Sequence, residues 1–382
     1  MSASLLSVRD LKVHFDVRVG GVFAGRYRPL KAVDGVSFDL KAGETLGIVG
    51  ESGCGKSTLG RAILRLIEPT AGRAVWLGED LAGLDAGRMR AKRQDMQIIF
   101  QDPLASLNPR MTVGEIIAEP LRTFEPGIGR DAMKARVKDM MAKVGLLPQM
   151  INRYPHEFSG GQCQRIGIAR AMVLSPRLIV CDEPVSALDV SIQAQIVNLL
   201  MRLQQEFGLS LLFISHDLSV VRHISHRIMV LYLGRVMEIA DRQSIYARPR
   251  HPYTQALISA VPIPDPDKEQ SKQRLVLEGD LPSPLSPPSG CVFRTRCPKA
   301  SELCARVTPP LEDDGSGDGH LVACHHWRQA AEAAPAPAVE PPRSAAAQRR
   351  FDLYRERSEQ QERLRSATAA GPQSHRGEPQ NA

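Results

Sequence analysis

Between Leu5 and about Ala260 the chain alternates short aliphatic and β-branched runs with longer stretches whose apolar positions recur every three to four residues. The first pattern suits strands, continuously apolar where both faces of a sheet are covered; the second suits amphipathic helices. Strands are predicted at Leu5–Val13, Val33–Leu40, Thr45–Val49, Ala74–Leu77, Gln97–Phe100, Leu178–Cys181, Leu211–Ile214, Ile228–Tyr232 and Val236–Ile239. Helices are predicted at Lys56–Ile67, Val113–Arg122, Asp131–Val144, Gly161–Leu174 and Ile192–Phe207. The alternation reads as an α/β fold over residues 1–260, with Val17–Pro29 as an insertion between the first two strands. Residues 261–328 read as a Pro-rich, loop-built appendage with little core of its own, and 329–382 as a low-complexity, largely disordered tail in which Phe351–Arg365 could form a lone charged helix.

The 382 residues, 43% of them hydrophobic, suffice for one large domain and an appendage. No apolar run approaches the ~18–20 residues that span a bilayer, and MSASLLSVRDLKVHF lacks the charge and apolar order of a leader, so the expected place is the cytosol with peripheral membrane contact. The net charge of +7 is scattered and carries no aromatic-interleaved basic stripe, which argues against nucleic acid. Seven cysteines in such a chain argue against a disulfide framework.

The first chemistry-bearing motif is Gly50-Glu51-Ser52-Gly53-Cys54-Gly55-Lys56-Ser57, lying between the apolar run TLGIV and a helical pattern that continues through Thr58. It matches G-x-x-x-x-G-K-[ST] in the strand–loop–helix context that motif requires. Its glycines let successive N–H groups line an anion nest at a helix N-terminus, Lys56 reaches the β- and γ-phosphates of a bound nucleotide, and the Ser57 hydroxyl ligates Mg²⁺. Cys54 is read as a small spacer in preference to a redox sensor. The buried-strand pattern Arg177–Pro184 ends in two acids: Asp182 is assigned to the Mg²⁺ shell and Glu183 to polarising the attacking water. These residues define a nucleotide-hydrolysing P-loop protein.

Phe158-Ser159-Gly160-Gly161-Gln162-Cys163-Gln164-Arg165 narrows the class, because it resembles the LSGGQ signature of the ABC ATPases with Phe158 in place of the usual Leu. The resemblance implies a core of mixed sheet with helices on both faces, an antiparallel β subdomain and a helical signature subdomain. It also implies that Ser159, Gly160, Gly161 and Gln162 serve ATP held by a second ATPase subunit, so that hydrolysis needs a dimer. Within the same likeness Gln101 resembles the Q-loop, which ligates Mg²⁺ and senses the membrane subunits. Ser186-Ala187-Leu188-Asp189 resembles the interface-crossing D-loop, and His216 the histidine that contacts the γ-phosphate. The expected catalytic set is Glu183, His216 and Lys56. For the aromatic that stacks on adenine, Phe15 is favoured and Tyr27 stays a rival.

Phe100–Arg110, Tyr154–Gln162, His251–Leu257 and the cysteine-bearing stretch from Gly290 resemble the ATP-binding subunits of oligopeptide, dipeptide and nickel importers. That likeness implies two membrane permeases and an extracytoplasmic solute-binding protein as further partners, and a location on the inner membrane's cytoplasmic face. A homodimer and a heterodimer both remain open. So do exporter and non-transport ABC ATPases, although fused membrane helices, coiled-coil insertions and tandem cassettes are all missing. Cys291, Cys297, Cys304 and Cys324 follow C-x5-C-x6-C-x19-C. Three readings stand for them: a [4Fe-4S] cluster, towards which the family likeness points; zinc with His325 or His326; or unliganded thiols.

Overall fold

The computed structural model describes residues 4–20, 26–262 and 275–332, together with residue 349; the predicted tail and its charged helix lie outside these. These described residues up to 332 fall in one compact unit. Strands β1 (Leu6–Val19), β2 (Arg26–Leu40), β3 (Thr45–Val49), β4 (Ala71–Trp76), β5 (Glu79–Asp80), β6 (Met96–Ile99), β7 (Leu178–Asp182), β8 (Ser210–Ile214), β9 (Arg227–Tyr232), β10 (Arg235–Asp241), β11 (Glu312–Asp313) and β12 (Leu321–Val322) build two sheets. The helices are α1 (Lys56–Ile63), α2 (Ala86–Lys92), α3 (Val113–Phe124), α4 (Arg130–Lys143), α5 (Gly160–Met172), α6 (Val190–Phe207), α7 (Leu218–Ile224), α8 (Arg242–Ala247), α9 (Pro252–Ser259), α10 (Glu302–Arg306) and α11 (Trp327–Glu332).

The smaller sheet is antiparallel with order β2-β1-β4-β5, and the larger is mixed with order β11-β12-β10-β9-β3-β8-β7-β6. Within the larger sheet β9, β3, β8, β7 and β6 run parallel. Their side chains alternate between two cores. Ile179, Cys181, Leu211 and Phe213 join the cluster beneath α3 to α6, whereas Leu178, Val180, Leu212 and Ile214 join the cluster shared with the small sheet and α1. Burial on both faces is why these strands read as unbroken apolar runs.

Two sequence expectations change. Residues of the supposed insertion extend β1 to Val19 and begin β2 at Arg26, forming one long antiparallel ribbon whose pairing runs out to Val19↔Arg26. Cross-strand bonding continued past the apolar pattern, and the ribbon's outer part is largely exposed, so no alternation marked it. The predicted helix from Lys56 stops at Ile63 instead of Ile67, where Arg65 takes a positive φ of 48°.

The cysteine-bearing segment is built into the main core. Strand β12 pairs with β10, and Phe293 is fully buried among Tyr232, Tyr253 and His251, with ring centroids 5.3–5.5 Å apart. Glu238 of β10, also fully buried, accepts from the backbone N–H of Arg250 at 2.7 Å and of His251 at 3.0 Å. Its carboxylate also meets His320 Nε2 at 2.6 Å, so a charged group in the core has its partners and ties the segment to β10.

Candidate functional site

Four consecutive strands, β3, β8, β7 and β6, end on the same edge of the parallel sheet, and a predicted residue stands at the end of each. The loop Gly50–Gly55 follows β3, His216 follows β8, Asp182 and Glu183 close β7, and Gln101 follows β6. Residues far apart in sequence are thus neighbours because their strands are.

The loop is shaped by two close approaches. A Cβ on Gly50 (φ 153°) would stand 2.1 Å from the Leu231 carbonyl oxygen, and one on Gly55 (φ 100°) would stand 2.0 Å from that of Ala32. Both positions require glycine. The side chain of Lys56 is buried and its Nζ donates to the carbonyls of Gly50 at 2.9 Å and Glu51 at 3.0 Å. Cys54 is buried too, and burial pushes its thiol up despite the neighbouring ammonium of Lys56, which fits a spacer better than a reactive thiolate.

Next to the loop, Ser57 Oγ donates to Asp182 Oδ1 at 2.5 Å, and Arg61 reaches Asp182 Oδ2 at 3.2 Å. Glu183, directly after Asp182, has a left-handed backbone (φ 48°). Its Oε2 accepts from Gln101 Nε2 at 3.2 Å and lies 3.2 Å from His216 Nδ1. The structure therefore brings Lys56, Ser57, Asp182, Glu183, Gln101 and His216 to one edge. Ser57, Asp182 and Gln101 offer oxygen atoms, the donor chemistry that Mg²⁺ prefers.

Ser159 caps α5 in a reciprocal box: its hydroxyl accepts from Gln162 N at 3.4 Å, and Gln162 Oε1 accepts from Ser159 N at 3.0 Å. Gly160 and Gly161 open that helix, and a Cβ on Gly161 would press to 2.6 Å from Ile192 on α6, directly beyond Asp189 at that helix's cap. The hydrogen bonds described for Ser159 and Gln162 stay within the first turn of α5, and Ser159, Gly160 and Asp189 are exposed. Phe15 lies across from Leu30, two residues from the Ala32 carbonyl that touches Gly55. Tyr27 pairs with Arg18, three residues or about 10 Å farther along the ribbon.

The four C-terminal thiols converge. Burial and then its thiol neighbours Cys304 and Cys297 raise Cys291 to about 11; burial, with Cys297, Cys291 and Cys304 nearby, raises Cys324 to about 12. Cys297 is raised likewise, by burial and by Cys304. Among the described residues, three ligand atoms approach within 4.8 Å of one another at Asp314, Asp318 and His320, and at no three of these cysteines. His325 Nε2 meets the Val307 carbonyl at 3.0 Å, and His326 Nε2 meets Ser301 Oγ at 2.8 Å. Asp314 and Asp318 are already matched by Arg250 and Arg248.

Two residues that approach the phosphate loop escaped the sequence analysis: Tyr253, whose hydroxyl accepts from Glu51 N at 3.0 Å, and Arg296, which binds the Glu51 carboxylate. Tyr253 lay within a recognised motif but no local pattern linked it to the loop, and for Arg296 there was no signal.

This edge, with its glycine-walled loop, buried lysine and paired acids, is that of an ATP hydrolase of the ABC class. Residues 33–186 match the ABC transporter family, and residues 237–304 match the C-terminal region of oligopeptide/dipeptide transporters. The chain belongs to the ATP-binding subunits of ABC transporters. It is 63% identical over 321 residues, 84% of its length and 95% of the relative's, to the oligopeptide transport ATP-binding protein OppF of Salmonella typhimurium. Another relative, the putative oligopeptide transport ATP-binding protein YkfD of Bacillus subtilis, is 55% identical over 85% of this chain and 96% of its own. Among solved structures, the ATP-binding cassette MJ0796, a dimer bound to ADP and Pi after hydrolysis, superposes with a TM-score of 0.56 at 28% identity. It covers 62% of this chain and 98% of its own.

Proposed function

We propose that this chain is the ATPase subunit that drives import of peptides or related small solutes, working with a second ATPase subunit, two permeases and an extracytoplasmic binding protein. The observation that carries the reading is the division of the site: Lys56, Ser57, Asp182, Glu183, Gln101 and His216 share one sheet edge, whereas the Ser159 cap of α5 bonds within its own turn and faces outward. The peptide class is supported by the relatives, which are oligopeptide transport ATP-binding proteins, and by the C-terminal region of that family.

In this mechanism the nest at the start of α1 and the Lys56 ammonium hold the polyphosphate. Ser57, Asp182 and Gln101 would hold Mg²⁺, which when bound offsets charge on the phosphates. Glu183, oriented by Gln101 and His216, accepts a proton from the water that attacks the γ-phosphorus as the bond to the ADP oxygen breaks. Ser159, Gly160, Gly161, Gln162 and Asp189 act across the dimer on ATP held by the partner. Phe15 is the adenine platform, supported by its position near Gly55, and Tyr27 lies too far along the ribbon. No helix among the described residues is long and apolar enough to cross a membrane, so attachment to its cytoplasmic face goes through the permeases.

The finer part of the proposal gives the four thiols an iron–sulfur cluster as a stabilising staple, supported by the mutual proximity of Cys291, Cys297, Cys304 and Cys324. A single anaerobic preparation tests both parts. Turnover per chain should be low in the isolated protein, rise with protein concentration, and rise again with permeases and peptide-loaded binding protein. Full, concentration-independent turnover by the monomer contradicts the shared site. Iron and sulfide should be present in equal amounts, and a metal-free protein with four alkylatable C-terminal thiols removes the cluster.

A further inference from the structure

The second residue of the phosphate loop, Glu51, places a carboxylate beside a pocket built for anions, an arrangement that repels a polyphosphate unless the charge is compensated. The compensation comes from 245 residues away in sequence. Arg296 Nη1 lies 2.9 and 2.8 Å from the two carboxylate oxygens of Glu51, with the arginine side chain 11% exposed and the glutamate 27%. The same glutamate is fixed at two further points: its N–H by the Tyr253 hydroxyl at 3.0 Å, and its carbonyl by Lys56 at 3.0 Å.

Arg296 is held just as firmly. Its own N–H bonds the Phe293 carbonyl at 3.0 Å, closing a turn that begins at Cys291, where Arg294 N bonds the Cys291 carbonyl at 3.1 Å. Phe293 is anchored against Tyr232 and Tyr253, and the guanidinium lies beside the Tyr232 hydroxyl. One turn therefore carries a core anchor, the cation that faces the phosphate loop and, in Cys291, a member of the thiol group.

We infer that Arg296 is a positioning residue for nucleotide binding: it neutralises and orients Glu51, so that the cysteine-bearing segment contributes a charge to the ATP site that the loop motif itself lacks. The inference rests on reading residues 50–57 as the nucleotide site.

The test is equilibrium titration of the full-length chain with a fluorescent ATP analogue. Arg296→Gln, which leaves the Glu51 carboxylate uncompensated, should weaken binding about tenfold. Removing that carboxylate as well, in Glu51→Gln/Arg296→Gln, should restore affinity to within about threefold of wild type, a rescue that a purely structural role for Arg296 would not give. Arg296→Lys keeps the charge and the turn and should also stay within about threefold, which keeps the test usable if the glutamine variant folds poorly. Wild-type affinity in Arg296→Gln, or a double variant as weak as the single one, overturns the inference. Lys56→Ala run beside them separates the two claims. If it abolishes binding while Arg296→Gln does not change it, the inference about Arg296 fails alone; if Lys56→Ala binds normally, the nucleotide-site reading fails with it.

Discussion

The carboxyl edge of the parallel sheet and the cysteine-bearing C-terminal segment are joined through Glu51 and Arg296, yet they owe their geometry to different things. At the sheet edge each residue's place follows from a short stretch of backbone. A strand ends, a glycine turns, a helix begins, and the neighbouring strands of the sheet line these events up. In the C-terminal segment, 275–332, regular structure is scarce, and side chains reach residues far away in sequence: His320 and Glu238, Phe293 and Tyr232, Arg296 and Glu51. Chemistry concentrated in local backbone geometry can be read from a motif, whereas chemistry that depends on long-range side-chain contacts cannot.

The sharpest separation of the two regions is expected from Glu183→Gln. Loss of the carboxylate that Gln101 and His216 orient should slow ATP hydrolysis by on the order of 10²–10⁴-fold and leave ATP bound. Single-turnover hydrolysis beside a binding titration reads both quantities; normal turnover in the assembled complex would take the proton-accepting role from Glu183. Phe293→Ala strikes the other region. Emptying a fully buried aromatic site costs about 3–5 kcal/mol, and because the segment shares the main core, urea unfolding should show a lowered midpoint for the whole compact unit in one transition. An unshifted main transition would make the segment a separate folding unit and undo that half of the comparison.

A smaller effect is expected from pH. Burial lowers His251 from 6.5 to about 4, against the pull of the Glu238 carboxylate. The unfolded chain therefore binds a proton that the folded chain refuses between about pH 6.5 and 4. Stability should be at its full value above pH 6.5, fall by up to about 3 kcal/mol as the pH drops through that window, and change no further below it on account of this group. His251→Asn keeps an acceptor for the Tyr253 N–H, a bond of 3.0 Å, and should flatten the slope in denaturant melts across that range. An unchanged slope would assign the acid sensitivity elsewhere.

The legibility of the sequence follows the same division. Strands β3, β7, β8 and β9 were readable because burial on both faces leaves continuous apolar runs, and the phosphate loop was readable because its spacing is dictated by backbone shape. The short helices α7, α8 and α9 were missed: at six to eight residues they offer barely two turns of periodicity. The outer ribbon of β1 and β2 was missed because hydrogen bonds to a partner strand, rather than a buried face, hold it. Tyr253 and Arg296 could not be placed, since a residue's partner across the fold leaves no trace in its own neighbourhood.

The last strand of the large sheet bears on a different matter, self-association. An open sheet edge presents unpaired N–H and C=O groups that invite another chain to add a strand. One of the two edges of the large sheet is β11, two residues long and made of the exposed acids Glu312 and Asp313. A strand so short and so negatively charged offers almost no template for a neighbouring chain and repels a second copy of itself. In a crowded cell this edge is thereby guarded against fibril-like stacking.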